Sequence, residues 1–106
     1  MDINISQGDK VVMMPNGSQE LLIVQLVTDA TFNGTTTKAE IQESLDGQNW
    51  LTIQNKNGDT LEVVIDAADS SFMLKTDIAF SKTIRANVTA GDATTGMISL
   101  NNNYKG

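Results

Sequence analysis

Four Asn-Gly or Asp-Gly dipeptides divide this chain of 106 residues into short segments. They lie at Asn16-Gly17, Asn33-Gly34, Asp46-Gly47 and Asn57-Gly58. Residues of these types tolerate a positive φ, which the tight turns of β-hairpins require and regular helices do not use. The spacing of the dipeptides therefore predicts many short antiparallel strands rather than helices.

The segments between the turns are rich in β-branched residues, and such runs recur about every ten residues, which is typical of a sandwich or a barrel. The predicted strands are residues 10–14, 20–27, 37–44, 50–55, 61–66, 72–76, 83–89 and 97–102. We therefore predict an all-β fold, a single-domain antiparallel β-sandwich of about eight strands that spans residues 1–106. An immunoglobulin-like and a jelly-roll-like sandwich remain open, and the polar chain ends indicate flexible terminal arms.

Alternation of apolar and polar residues assigns the faces of the clearest strands, because successive side chains of a strand point to opposite sides of the sheet. Lys38, Glu40, Gln42, Arg85 and Asn87 are predicted to face solvent. The side chains predicted to face the core are Ala39, Ile41, Leu45, Ile84, Ala86, Val88, Ile98 and Leu100.

Two further predictions concern strand neighbours. The run Leu21-Leu22-Ile23-Val24 lacks alternation, which favours a central strand covered on both faces. Turns at Asp46-Gly47 and Asn57-Gly58 flank residues 50–55, so we expect a meander of successive hairpins over residues 37–66.

Charge and hydropathy restrict the partners. The net charge is −6, which opposes binding to a phosphate backbone, so we expect no nucleic-acid partner. The longest apolar run, residues 21–24, is far shorter than the ~18 residues that a membrane-spanning helix needs. The start Met1-Asp2-Ile3-Asn4 has neither the basic nor the apolar segment of a secretory signal, so we expect synthesis without signal-directed secretion.

The chain contains no histidine and no cysteine, which removes the commonest general base, the thiol nucleophile and the main transition-metal ligands. Glu40 and Glu62 fall on the polar faces of strands, where paired carboxylates do not form a cleft. The Asn/Asp-rich segments 55–59 and 66–70 match turns better than calcium loops. We therefore predict no enzymatic activity, no metal and no cofactor.

Two stretches resemble a known group of proteins. Ser44-Leu45-Asp46-Gly47-Gln48-Asn49-Trp50 looks like an S-x-D-G-x-N-W hairpin, and residues 79–88 followed by 95–100 resemble a Y-I-R-x-x-V … G-x-I-x-V ending. Both are found in small β-sandwich proteins of tailed bacteriophages. The chain departs from that pattern at Lys82-Thr83, where an aromatic residue often precedes the isoleucine-arginine pair.

The resemblance implies a virion structural protein, of the auxiliary capsid (decoration) type, that binds and stabilises the shell of the major capsid protein. Such a protein would be made in the host cytoplasm, would reside in the virion and could form homo-oligomers. The candidate contact residues are Trp50, Asn101, Asn102, Asn103 and Tyr104.

Two alternatives stay open: a tail or fibre adaptor, and a carbohydrate-binding module in which Trp50 and Tyr104 stack on sugar rings. Against the second, the position of Trp50 after a tight turn favours a partly buried core tryptophan.

Overall fold

The computed structural model describes residues 2–14, 21–55, 57–76 and 83–105, a range that leaves out Pro15, Asn16-Gly17 and Glu20. A single 3₁₀ turn, Ile5–Gln7, is the one helical element among the described residues. The strands are β1 (Asp2–Asn4), β2 (Lys10–Met14), β3 (Leu21–Thr28), β4 (Thr37–Ser44), β5 (Leu51–Thr52), β6 (Glu62–Ile65), β7 (Ser71–Thr76), β8 (Thr83–Thr89) and β9 (Met97–Lys105). None of these elements is a helix long and apolar enough to cross a membrane.

The strands form two antiparallel sheets that enclose one hydrophobic core. The four-stranded sheet has the order β1-β9-β3-β7. The five-stranded sheet has the order β2-β8-β4-β5, with β6 also paired to β4. This architecture confirms the predicted all-β antiparallel sandwich.

The order in which the strands enter the sheets distinguishes the two expected sandwich types. Successive strands alternate between the sheets except at β4, β5 and β6, which remain together. Counted as one interrupted strand, β5 and β6 complete an eight-stranded jelly roll. An immunoglobulin-like sandwich would pair more consecutive strands within a sheet, whereas in the described part of this chain only β4 and β5 do so.

The core follows the predicted alternation in β4, β8 and β9. Lys38, Glu40 and Gln42 alternate with fully buried neighbours and stay partly exposed. The predicted core residues that are buried are Ala39, Ile41, Ile84, Ala86, Val88, Ile98 and Leu100.

Strand β3 is central in its sheet, between β9 and β7, as predicted, but among the described residues only its inner face is buried, so the prediction of burial on both faces is wrong. Leu22, Val24 and Leu26 are fully buried, whereas Ile23 and Val27 are partly exposed on the outer side of the sheet. The run of apolar residues hid an ordinary alternation, because isoleucine and valine also occupy half-exposed positions in sheets.

Strands β5 and β6 lie end to end along the same edge of β4, which differs from the predicted meander. Strand β5 pairs with Gln42 and Glu43, and β6 pairs with residues 37–40. The chain between them makes a small hairpin with one bridge, between Gln54 and Thr60. Strand β6 therefore returns to β4 instead of continuing alongside β5.

Both ends of the described chain lie in the four-stranded sheet. Strand β1, which the sequence does not predict, pairs with residues 97–99, and Ile3 and Ile5 are each only 1% exposed. Strand β9 extends past the predicted residue 102 and pairs with β3 as far as Lys105. Burial of Ile3 and Ile5 fixes the first residues of the described chain, and backbone pairing with β3 fixes the end of β9.

The loops at one end of the sandwich are joined by hydrogen bonds from side chains. The carboxylate of Asp92 accepts bonds from the Thr35 hydroxyl and from the backbone N–H groups of Thr35 and Thr36. These bonds, that of the hydroxyl foremost, hold the pKa of Asp92 well below its usual range. Gly34 lies in the same loop and is buried, and an added Cβ would collide with Thr37. Asn33-Gly34 therefore lies in a loop that crosses from one sheet to the other and not in a hairpin turn, and a glycine is needed there because a Cβ would not fit.

Candidate docking site at the β4–β5 hairpin

The turn between β4 and β5 is built by the polar residues of the S-x-D-G-x-N-W sequence. The carboxylate of Asp46 accepts hydrogen bonds of 2.9 Å from the backbone N–H groups of Gln48 and Asn49 and from the Ser44 hydroxyl. The Asn49 amide donates to the second carboxylate oxygen at 2.7 Å. Gly47 takes a φ of 77° and donates its N–H to the Ser44 oxygen at 2.9 Å. The turn therefore satisfies its own polar groups and needs no partner to hold its shape.

The same bonds keep Asp46 ionised. The N–H of Asn49, then that of Gln48, and then the side chains of Asn49 and Ser44 hold the pKa of this carboxyl well below its usual range. The hydrogen-bonded turn therefore persists at neutral pH and well into the acidic range.

Trp50 follows this turn and lies on the outer face of the five-stranded sheet. Arg85 alternates with buried residues of β8, and its guanidinium lies 4.2 Å from the centroid of the Trp50 ring. The Nε of Arg85 donates to the Gln42 side chain at 2.8 Å. Trp50 is therefore partly buried, as predicted, but it lies on the outer surface in a cation–π contact and not in the core, so its predicted place in the core is wrong. The guanidinium of Arg85 gives the indole ring a stacking partner on the outer surface of the sheet.

Two leucines of the same hairpin are the most exposed large apolar side chains among the described residues. Leu45 is 76% exposed and Leu51 is 74% exposed. Leu45 was predicted to continue the core face of β4, but the strand ends one residue earlier, at Ser44, and the turn rotates the side chain into solvent. We call Leu45, Trp50 and Leu51 the hairpin tip.

The two leucines of the hairpin tip border shallow depressions: Leu51 lines two of them, and Leu45 lines one. The first has a volume of about 380 Å³ and is lined by Glu43, Ser44, Leu45, Asp46, Asn49 and Leu51. The second has a volume of about 360 Å³ and is lined by Glu43, Leu51, Thr52, Gln54 and Thr60. Both are open and share Leu51, so they are surface depressions rather than an enclosed pocket for a small ligand.

Thr83 connects the second resembling stretch to the turn. Its hydroxyl donates to the backbone carbonyl of Ser44 at 3.1 Å. Thr83 belongs to the pair at which the chain departs from the phage-protein pattern, and it binds the start of the turn by a polar contact. Lys82, the other member of the pair, lies outside the described residues.

The remaining predicted contact residues lie in the other sheet. Asn101 is exposed in β9 and pairs with Gln25 of β3. Asn102, Asn103 and Tyr104 continue β9 through backbone pairing with β3, and their side chains lie outside the described part of the chain. The structure therefore does not bring Trp50 and Asn101 together, and Trp50 and Tyr104 belong to different sheets.

The two turns considered for calcium have structural explanations. The Asn55 side-chain oxygen accepts hydrogen bonds from the N–H groups of Asn57 and Asp59, and Gly58 has a φ of 85°. In the other turn Ser70 and Thr28 bond each other through hydroxyl and backbone groups. Within the described ranges, no three acidic side chains are grouped closely enough to hold a metal ion.

Comparison with protein-family models, with curated proteins and with solved structures found no match to the chain. The hairpin tip is therefore the feature from which a function is inferred. Sequence reasoning identified Trp50 but missed Leu45, Leu51 and the contribution of Arg85. Leu45 stands inside the turn sequence itself, between Ser44 and Asp46, and that position was the available signal of its exposure.

Proposed function

We propose that this protein is an auxiliary capsid (decoration) protein of a tailed-phage virion, made in the host cytoplasm, which docks on the assembled shell of the major capsid protein. The observation that supports this proposal best is the hairpin tip. It presents two leucines, each about three-quarters exposed, and, in the same hairpin, a tryptophan that stacks on an arginine. Tryptophan and arginine are enriched among the residues that contribute most to protein–protein binding.

The rigidity of the turn favours binding. Asp46 and Ser44 hold the backbone from within, so little conformational freedom remains to be lost when the tip meets a partner. Burying an exposed leucine side chain contributes about 2 kcal/mol, so Leu45 and Leu51 together contribute about 4 kcal/mol. Association itself costs about 4 kcal/mol or more, and the surface around Trp50 and Arg85 must therefore take part.

The charge of the chain supports the same kind of partner. A net charge of −6 lets a protein bind a protein shell without competing for the packaged nucleic acid. With neither histidine nor cysteine in the sequence, the protein would act by adhesion rather than by catalysis. Binding to the assembled shell but not to its dissociated subunits would stabilise the shell by mass action.

The experiment is co-sedimentation of the purified protein with tailed-phage shells assembled from the major capsid protein of the same source. We expect saturable binding at a fixed ratio to that protein. A variant with Leu45→Ser and Leu51→Ser should bind at least tenfold more weakly. The matched control is Met73→Ser, which removes a half-exposed apolar side chain from the other sheet.

Absence of saturable binding to intact shells would overturn the proposal, and so would equal binding by the double variant and the wild type. Titration with polysaccharides, followed by Trp50 fluorescence, identifies the competing carbohydrate-binding function. Quenching with loss of shell binding would replace the capsid proposal by that alternative. Binding to purified tails but not to shells would assign the protein to a tail or fibre.

A further inference from the structure

Strand β2 lies at one edge of the five-stranded sheet. It pairs with β8 along one side, and no described residue pairs with its other side. Its sequence, Lys10-Val11-Val12-Met13-Met14, has no charge after the first residue. Exposed strand edges of this kind bind further strands unless a charge, a proline or a bulge prevents it.

Both faces of β2 are apolar, which is unusual for an edge. Val12 and Met14 are each 6% exposed and pack into the core. Val11 and Met13 point outward, with exposed fractions of 48% and 55%. A strand paired to this edge would therefore continue the core on one side and cover two apolar side chains on the other.

The other edges of the two sheets carry features that hinder pairing. Strand β1 has only three residues, and β7 has a lysine, Lys75, near its end. The edge formed by β5 and β6 is interrupted by the hairpin between them. Strand β2 is the longest continuous edge among the described residues that lacks an internal charge.

We propose that β2 is a homodimer interface, in which the same strand of a second copy pairs antiparallel with it across a two-fold axis perpendicular to the sheet. This inference does not rest on the proposed capsid function. The occupant is a second copy because the strand is complementary to itself. A two-fold axis of this kind leaves the inner faces of both copies on the same side, so outward residues must lie opposite outward residues.

That condition allows only registers in which the axis passes through a residue, and one of these pairs the whole strand. Centring the axis on Val12 pairs all five residues and places Val11 of each copy opposite Met13 of the other. Lys10 then lies opposite an apolar Met14, and the two lysines stand at opposite ends of the ribbon, about 13 Å apart along the strand direction. No like charges face each other, and each half-exposed side chain gains an apolar cross-strand neighbour.

The size of the contact sets the expected affinity. Pairing of five residues along one edge buries less than the ~1,200 Å² lower limit of a stable interface, so we expect a weak and reversible dimer. Strands β8 and β4 separate β2 from β5, so the hairpin tip of each copy lies across the sheet from the interface.

Sedimentation velocity at protein concentrations from about 1 to 500 μM tests the proposal. We expect a reversible monomer–dimer equilibrium. Met13→Lys should weaken it at least tenfold, because the new charge lies on the edge and outward. The matched control is Met73→Lys, which places the same charge on a residue of similar exposure in the other sheet. Far-UV circular dichroism checks that both variants keep their strands.

A second experiment tests the register. The chain has no cysteine, so introduced thiols react unambiguously. Oxidation of a mixture of the Val11→Cys and Met13→Cys variants should give a disulfide-linked dimer in higher yield than either variant alone. A protein that stays monomeric to 500 μM, a dimer that Met13→Lys leaves intact, or equal crosslinking in the unmixed variants would each overturn the inference.

Discussion

Replacing Ile3 by alanine should strongly destabilise the protein, because this residue fixes β1 in the core. Ile3 is 1% exposed, and among the described strands its strand pairs with β9 alone. The substitution removes three carbon atoms at about 0.8 kcal/mol each, or about 2.4 kcal/mol. The cavity that remains raises the expected loss to about 3 kcal/mol, within the usual range for such changes.

Urea unfolding followed by far-UV circular dichroism measures this loss directly. A thermal scan gives a second value, since an unfolding entropy of about 2.1 cal/mol/K per residue converts ~3 kcal/mol into a fall in Tm of roughly 13 °C. The control is Gln7→Ala, at an exposed position of the adjoining 3₁₀ turn, which should change stability by less than about 0.5 kcal/mol. A loss below about 1 kcal/mol for Ile3→Ala would refute the docking of β1.

Three further predictions concern the turns and the tip. The folded-state pKa of Asp92 lies below the unfolded value of about 3.9. The stability that the Asp92 carboxylate contributes is therefore complete above about pH 3.9 and is lost as the pH falls through the folded pKa. Urea unfolding from pH 6 to pH 2 should show this loss of stability, and the Asp92→Asn variant should show a smaller loss. Gly96→Ala should destabilise the protein by about 3 kcal/mol or more, because φ is 113° and the new Cβ would lie 2.4 Å from a backbone atom of Phe32. Gly47→Ala, at a φ of 77° with open space around the new Cβ, should lose about 1 kcal/mol in the same assay. Arg85→Ala should shift the emission of Trp50 to the red and increase its quenching by acrylamide, and an unchanged spectrum would contradict the stacking.

The alternation of apolar and polar residues predicted those parts of the fold in which each strand has one buried face and one solvent-exposed face. The bounds of residues 37–44 and 83–89 were predicted to the residue, and so were the buried positions Ala39, Ile41 and Ile84. Local patterns suffice there because every second side chain meets the opposite sheet.

The features that depend on distant parts of the chain were not predicted. Strand β1 has a single buried residue, Ile3, and becomes a strand only because residues 97–99 lie beside it. The return of β6 to β4 depends on the shape of the whole edge rather than on the turn at Asn57-Gly58.

The candidate site was predicted in part. The turn sequence identified the hairpin and Trp50, but periodicity continued Leu45 into the core because it takes no account of where a strand ends. The stacking of Arg85 on Trp50 joins residues from two strands, and a single sequence gives no information on that contact.

Because β9 lies between β1 and β3, the four-stranded sheet cannot form before β9 has been synthesised. Strand β1 has no sheet partner until residues 97–99 have left the ribosome, and the side-chain bond between Asp2 and Ser99 spans 97 positions. Closing so long a loop is entropically costly, which makes folding slow for a protein of this size. A message truncated before β9 would leave β1 unpaired and the apolar face of β3 exposed, so its product would be a substrate for proteases rather than a shorter working protein.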